Sequence, residues 1–163
     1  MGETRWLDER EQRAWRLFLR MQMHLRSRLN HELQAHSGLS ETDYEVLVVL
    51  SESPEQRMRV FELGDELQWE TSRLSHHLTR MERRGLVRRE KCPTDQRGAY
   101  IVLTDAGRDA IVAAAPRHVD DVRRYFIDAL TPEQLDELAI IAERVLEALD
   151  ALPAEAATTD LAQ

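Results

Sequence analysis

The order of signals between Phe61 and Leu103 restricts the fold of this chain more than any other feature. Leu63-x-x-x-Leu67 marks one face of a short helix, and Gln68-Trp69-Glu70 reads as a turn. Thr71 to Arg84 carries a second helical pattern, with Leu74, Leu78 and Met81 inward and Gly85 just past its end. Leu86 to Lys91 alternates like a strand, Cys92 to Ala99 holds Pro93, Asp95 and Gly98 as a turn, and Tyr100 to Leu103 returns. Helix, turn, helix and hairpin in that order make a winged helix-turn-helix, a layout that sets its second helix in the major groove of duplex DNA.

Charge supports this reading by its distribution rather than its sum. The 163-residue chain has a net charge of −8, which alone argues against a nucleic-acid partner. Between Thr71 and Arg97, however, eight basic residues (Arg73, Arg80, Arg83, Arg84, Arg88, Arg89, Lys91, Arg97) stand against three acidic ones (Glu82, Glu90, Asp95). A basic segment on an acidic body binds phosphate in one orientation while the body resists non-specific adhesion.

Around this centre the pattern is helical. Leu7 to Gln34 reads as one long helix with Phe18, Met21, Leu25, Leu29 and Leu33 at three- and four-residue steps, stopped by His36-Ser37-Gly38. Ser40-Glu41-Thr42-Asp43 is a capping box that opens a helix through Ser51. That helix is apolar on nearly all sides and belongs at the buried centre. Arg57 to Val60 is short and extended. Thr104-Asp105-Ala106-Gly107 starts a helix expected to reach about Leu130. Thr131-Pro132-Glu133-Gln134 starts the last helix, in which Leu135, Leu138, Ala142, Val145, Leu149 and Leu152 form a heptad seam. The expected class is mainly α with a small β-hairpin wing.

The residues of the second helix suit DNA. Thr71, Ser72, Ser75 and His76 are short or planar and sit early, so they approach base edges without blocking entry into a groove about 12 Å wide. Arg73 and Arg80 reach further, to guanine edges or phosphates. The wing is Arg88 to Tyr100. Asp95 and Arg97 lie two apart across its turn, where Asp95 accepts a hydrogen bond that holds the Arg97 guanidinium outward, toward a narrow minor groove.

The motifs Ser72-Arg-Leu-Ser-His-His-Leu, Arg83-Arg-Gly-Leu-Val-Arg, Pro93-Thr-Asp-Gln-Arg-Gly and Leu103-Thr-Asp-Ala-Gly together resemble the MarR family of bacterial transcriptional regulators. The long first helix and the two C-terminal helices extend the resemblance over essentially the whole chain. It implies a homodimer on double-stranded DNA with a palindromic operator, and repression relieved by a small aromatic or anionic effector. It also implies that Arg97 is the wing-tip arginine and that Thr71, Ser72, Arg73, Ser75, His76 and His77 lie at or near DNA. The expected organisation is a first dimerisation helix in 1–36, the DNA-binding domain in 40–103, C-terminal dimerisation helices in 104–152 and a disordered tail in 153–163. The heptad seam joins the first helix in a two-fold interface, with intrachain core as its alternative. Trp6 and Trp15 belong to that interface.

Family members often bind anionic aromatics between the dimer helices and the DNA-binding lobe. The lining candidates here are Trp15, Met23, His24, Arg26 and Tyr44, with ordinary core packing as the competing reading. The single cysteine, Cys92, excludes a disulfide within one chain. It lies at the wing base near Arg88 and Arg89, and a redox-responsive regulator using it is one alternative. A winged-helix protein-interaction module without DNA binding is another. His24 and His31 are about 10 Å apart along the helix axis, too far to share one zinc at about 2 Å bonds, so no metal and no cofactor are expected. No nucleophile elbow, phosphate loop or His-Glu-x-x-His array points to an enzyme. Without a signal peptide or an apolar run of about 20 residues, the expected location is cytoplasmic, away from the membrane.

Overall fold

The computed structural model describes the backbone of residues 4–92 and 95–151 and the side chains of residues 4–91 and 99–151. The expected tail, 153–163, and Leu152 of the seam lie outside the described residues. Among the described residues, six α-helices and three strands follow in the order α1 (Glu9–Ser37), α2 (Glu41–Glu52), β1 (Arg57–Arg59), α3 (Val60–Leu67), α4 (Thr71–Arg83), β2 (Val87–Cys92), β3 (Asp95–Leu103), α5 (Asp105–Tyr125) and α6 (Pro132–Asp150). The chain divides into two compact units between Val122 and Arg123, within α5.

Capping residues set the ends of three of the helices. Asp8 and Glu11 form the capping box of α1, Ser40 and Asp43 that of α2, and Thr131 and Gln134 that of α6. In each, the N-cap oxygen accepts from a first-turn N–H that has no helical partner. Gly85, at φ +73°, turns the chain sharply from α4 toward β2. A side chain there would strain the left-handed backbone.

The core of the first unit is shared by every layer. Val46, Leu47 and Leu50 of α2 meet Leu63 of α3, Leu74, Leu78 and Met81 of α4, and Val87, Ile101 and Leu103 of the sheet. Ile111 and Ala114 of α5 close it from the side. The near-continuous apolar pattern of α2 is thus a consequence of its central place.

The sheet is antiparallel in the order β1-β3-β2. Arg57 to Arg59, expected as merely extended, pair with Val102 to Tyr100. β2 pairs with β3 from Val87↔Leu103 to Lys91↔Ala99, then shifts register to Cys92↔Asp95. The expected turn over Cys92 to Ala99 is therefore too long. The strands run on to Cys92 and from Asp95, because a bulge absorbs the mismatch and keeps the ladder going.

Two close contacts fix α5. Thr104 Oγ1 shares its one proton between the carbonyls of Gly85 (2.6 Å) and Leu86 (2.9 Å) and accepts from Gly107 N–H at 2.9 Å. Gly107 consequently sits so near the strand that a Cβ on it would fall 2.1 Å from the Leu86 carbonyl oxygen. The helix expected to reach Leu130 stops at Tyr125. Phe126 leaves helical geometry (φ −136°, ψ −61°) and a 3-10 turn covers Ile127–Ala129. Tyr125, Phe126 and Ile127 crowd a helix with aromatic and β-branched side chains, which lose χ1 freedom there.

Candidate nucleic-acid interface

The turn between α3 and α4 is held by backbone bonds and by Gln68 Nε2, which donates to the Asp65 carbonyl at 2.6 Å. Gln68 takes a left-handed conformation, φ 53°, and Trp69 N–H bonds back to the Gly64 carbonyl at 2.9 Å. This aims α4 so that Leu74, Leu78 and Met81 are fully buried. Thr71, Ser72, Arg73, His76 and Arg80 are left exposed, and Ser75 is half-buried. The helix thus separates core contacts from solvent contacts cleanly, as one that enters a groove must.

His77 departs from expectation. It is only 5% exposed and lies on the inner side of α4, not on the face open to a ligand. Its Nε2 is 3.1 Å from Asp43 Oδ1, off the line of a good hydrogen bond, and its ring meets Trp69 edge-on with centroids 5.5 Å apart. The reason is periodicity: His77 falls between Leu74 and Leu78 in the inward stripe, whereas His76 falls outside it.

Three arginines of this region are oriented by neighbours. The Arg73 guanidinium lies 4.6 Å over the Trp69 ring, a cation–π contact. Arg80 Nη2 is 2.9 Å from His77 Nδ1. Arg84 donates to Asp43 Oδ2 at 2.6 Å and to the Gly38 carbonyl at 2.8 Å. Arg84, though exposed, is thereby committed to joining the end of α4 to the start of α2. Burial pushes the Asp43 carboxyl toward neutrality, but His77, the Ser40 N–H, Arg84 and the Ser40 hydroxyl outweigh it and hold the group well below the usual carboxylate range.

On β2, Arg88 is exposed and pairs with Glu90, while Arg89 reaches Glu82 at 3.6 Å and the Ser75 carbonyl at 3.4 Å. The backbone of Asp95 and Arg97 lies in β3. Their side chains, like that of Cys92, are outside the described residues.

The candidate effector residues do not converge. Trp15 stacks on Phe18 at 5.9 Å and is 52% exposed, and Met23 and His24 also stand on the open surface of α1. Tyr44 lines a cavity. That cavity, of about 330 Å³, is walled by Leu29, Tyr44, Val48, Val49, Leu67 and His118, with Glu41 and Glu45 at its edge. Arg26 reaches those two carboxylates at 3.1 and 3.4 Å. Tyr44 packs on His118 with ring centroids 4.4 Å apart. Burial lowers the His118 pKa, against the opposing pull of Asp121 and Glu41, and raises that of Glu45.

Asp43, Trp69 and Arg84 were not among the sequence candidates. Asp43 gave only the signal of a helix cap, and its partners lie 34 and 41 residues further along the chain.

These elements define the class: a winged helix-turn-helix with long flanking helices. Residues 39–98 match the MarR family. AbsC of Streptomyces coelicolor, a MarR family transcriptional regulator, is 46% identical, with 91% of this chain and all of that one covered at a TM-score of 0.85. Sco3205 of the same organism, solved in complex with DNA, is 42% identical over 94% of this chain and 96% of its own, at a TM-score of 0.87. The homoprotocatechuate degradative operon repressor of Escherichia coli is 32% identical over 67% of this chain and 72% of its own. The chain belongs to the MarR family of transcriptional regulators, whose members are not enzymes. Among the described residues no helix is long and apolar enough to cross a membrane.

Proposed function

We propose that this regulator is a homodimeric repressor that reads a palindromic operator in double-stranded DNA and is released by a small molecule. The observation that carries the reading is α4 itself, leucines inward and Thr71, Ser72, Arg73, His76 and Arg80 outward, followed by a basic hairpin. The relative Sco3205, of the same fold, was crystallised with DNA. In this reading Thr71, Ser72, Arg73, Ser75, His76 and Arg80 face the major groove, Arg88 faces phosphate, and Asp95 holds Arg97 toward the minor groove.

One helix and one wing contact too little DNA for high specificity. Two copies related by a two-fold axis read half-sites roughly 34 Å apart. Support for a second copy comes from α6, where Ile140, Ile141, Val145, Leu146 and Leu149 are each about half exposed. On α1, Trp15, Leu17 and Phe18 are likewise open. The cavity beside Tyr44 is the place for an effector. Its apolar walls suit an aromatic ring, and polar groups at its lining, Glu41 and Glu45 paired with Arg26, can orient one.

Titration of labelled duplex at increasing salt tests the reading. Binding through phosphate contacts must weaken steeply as salt rises. Arg97→Ala is expected to lose about 1–3 kcal/mol of operator affinity with the fold intact. Absence of duplex binding at low salt would leave the protein-interaction module as the better reading. Release by peroxide that Cys92→Ser abolishes would replace the small-molecule effector with a thiol sensor.

A further inference from the structure

The inward face of α4 is leucine and methionine except at His77, and the buried face of α2 is apolar except at Asp43. These two exceptions meet each other, 3.1 Å apart and each about 95% buried. A buried charge is an inefficient way to hold two helices, since well-packed apolar side chains of similar size do as well or better. What the pair supplies is direction.

Arg80 can only donate, so its 2.9 Å contact with His77 Nδ1 requires a lone pair on that nitrogen. The imidazole proton then sits on Nε2, facing Asp43. A carboxylate at one edge of an imidazole fixes the tautomer and makes the opposite nitrogen a stronger acceptor. The chain of contacts therefore runs from a buried anion, through a ring wedged against Trp69, to a guanidinium on the exposed side of α4. A long flexible side chain gives up rotamer freedom when it docks on a base or phosphate. One already held in place gives up less.

We infer that Asp43, acting through His77, is a positioning residue of the nucleic-acid interface that sets the direction of Arg80 before DNA is met. This rests on the reading of α4 as the helix that enters the groove. Asp43 and His77 touch no nucleic acid themselves. The ionised state of Asp43 agrees with the role, because the negative charge favours the tautomer with its proton on Nε2, 3.1 Å away.

The test is a double-mutant cycle on full-length protein. The probes are a duplex that the wild-type protein enriches from a random pool and a shuffled duplex of the same composition. The readout is the ratio of the two affinities, with thermal midpoints measured alongside. Arg80→Ala and Asp43→Asn are each expected to lower the ratio about tenfold, and the double variant to lower it no further than Arg80→Ala alone. The midpoint should fall equally with Asp43→Asn in both backgrounds, since Arg84 loses its carboxylate partner in either. Should Asp43→Asn melt below the assay temperature, His77→Phe replaces it in the cycle. Phenylalanine keeps the ring against Trp69 and removes both nitrogens. A ratio that drops additively, or that is untouched by Asp43→Asn (or by His77→Phe where Asp43→Asn has melted), overturns the inference. A wild-type protein that enriches no duplex would instead overturn the DNA reading on which it rests.

Discussion

Helices α4 and α6 are both amphipathic, and they have opposite fates. In α4 four residues, Leu74, His77, Leu78 and Met81, are buried. In the longer α6, with more leucine and isoleucine, none is. The difference teaches that periodicity identifies an apolar face but says nothing about what covers it. The face of α4 is covered by its own chain, and the face of α6 is open for a second copy in the function proposed above.

The comparison breaks first at Leu149, which is 57% exposed. Leu149→Asp is expected to weaken self-association by about 3–5 kcal/mol, because it strands a carboxylate in an apolar seam. Sedimentation would read this as monomer, and an unchanged dimer would remove α6 from the interface. Leu78→Ala acts on the closed side. It leaves a cavity at a fully buried site and should cost about 2–5 kcal/mol of unfolding free energy in denaturant titration. A loss under about 1 kcal/mol would mean the core around α4 is looser than its burial indicates.

Smaller effects sharpen the contrast. Gly107→Ala drives a methyl group into the Leu86 carbonyl and should cost about 1–3 kcal/mol, read as a lower thermal midpoint. Thr131→Ala removes the cap of α6, whose Oγ1 accepts from Gln134 N–H at 3.3 Å. About 1 kcal/mol of stability should go with it. The weakest effect is one of pH. Asp43 is held below its ordinary value, near 3.9, so its contribution is whole above that value and is lost as pH falls through it toward the folded-state value. Asp43→Asn should flatten the fall in melting temperature below about pH 4. An equally steep acid limb in the variant would show that other carboxylates govern it.

Sequence alone determined the order of the helices and the wing, the caps of α2 and α6, and the leucines of the inward stripe of α4. Each depends on neighbours within about four positions: Ser40 with Asp43, Thr131 with Gln134, Leu74 with Leu78. It also located the basic segment, since charge density along a chain needs no coordinates. Tertiary structure decided what depends on distant partners. His77 read as one more polar residue beside His76 until Asp43 stood opposite it. Arg84 counted toward the basic patch until it turned to Asp43 and Gly38. The family resemblance put Trp15, Met23, His24 and Arg26 in one pocket with Tyr44, yet a cavity is enclosed by several elements, and of these five only Tyr44 lines the one beside His118. The physical reason is common to these cases. Local pattern fixes which way a side chain leaves its helix, whereas its partner is set by packing between segments far apart in the chain.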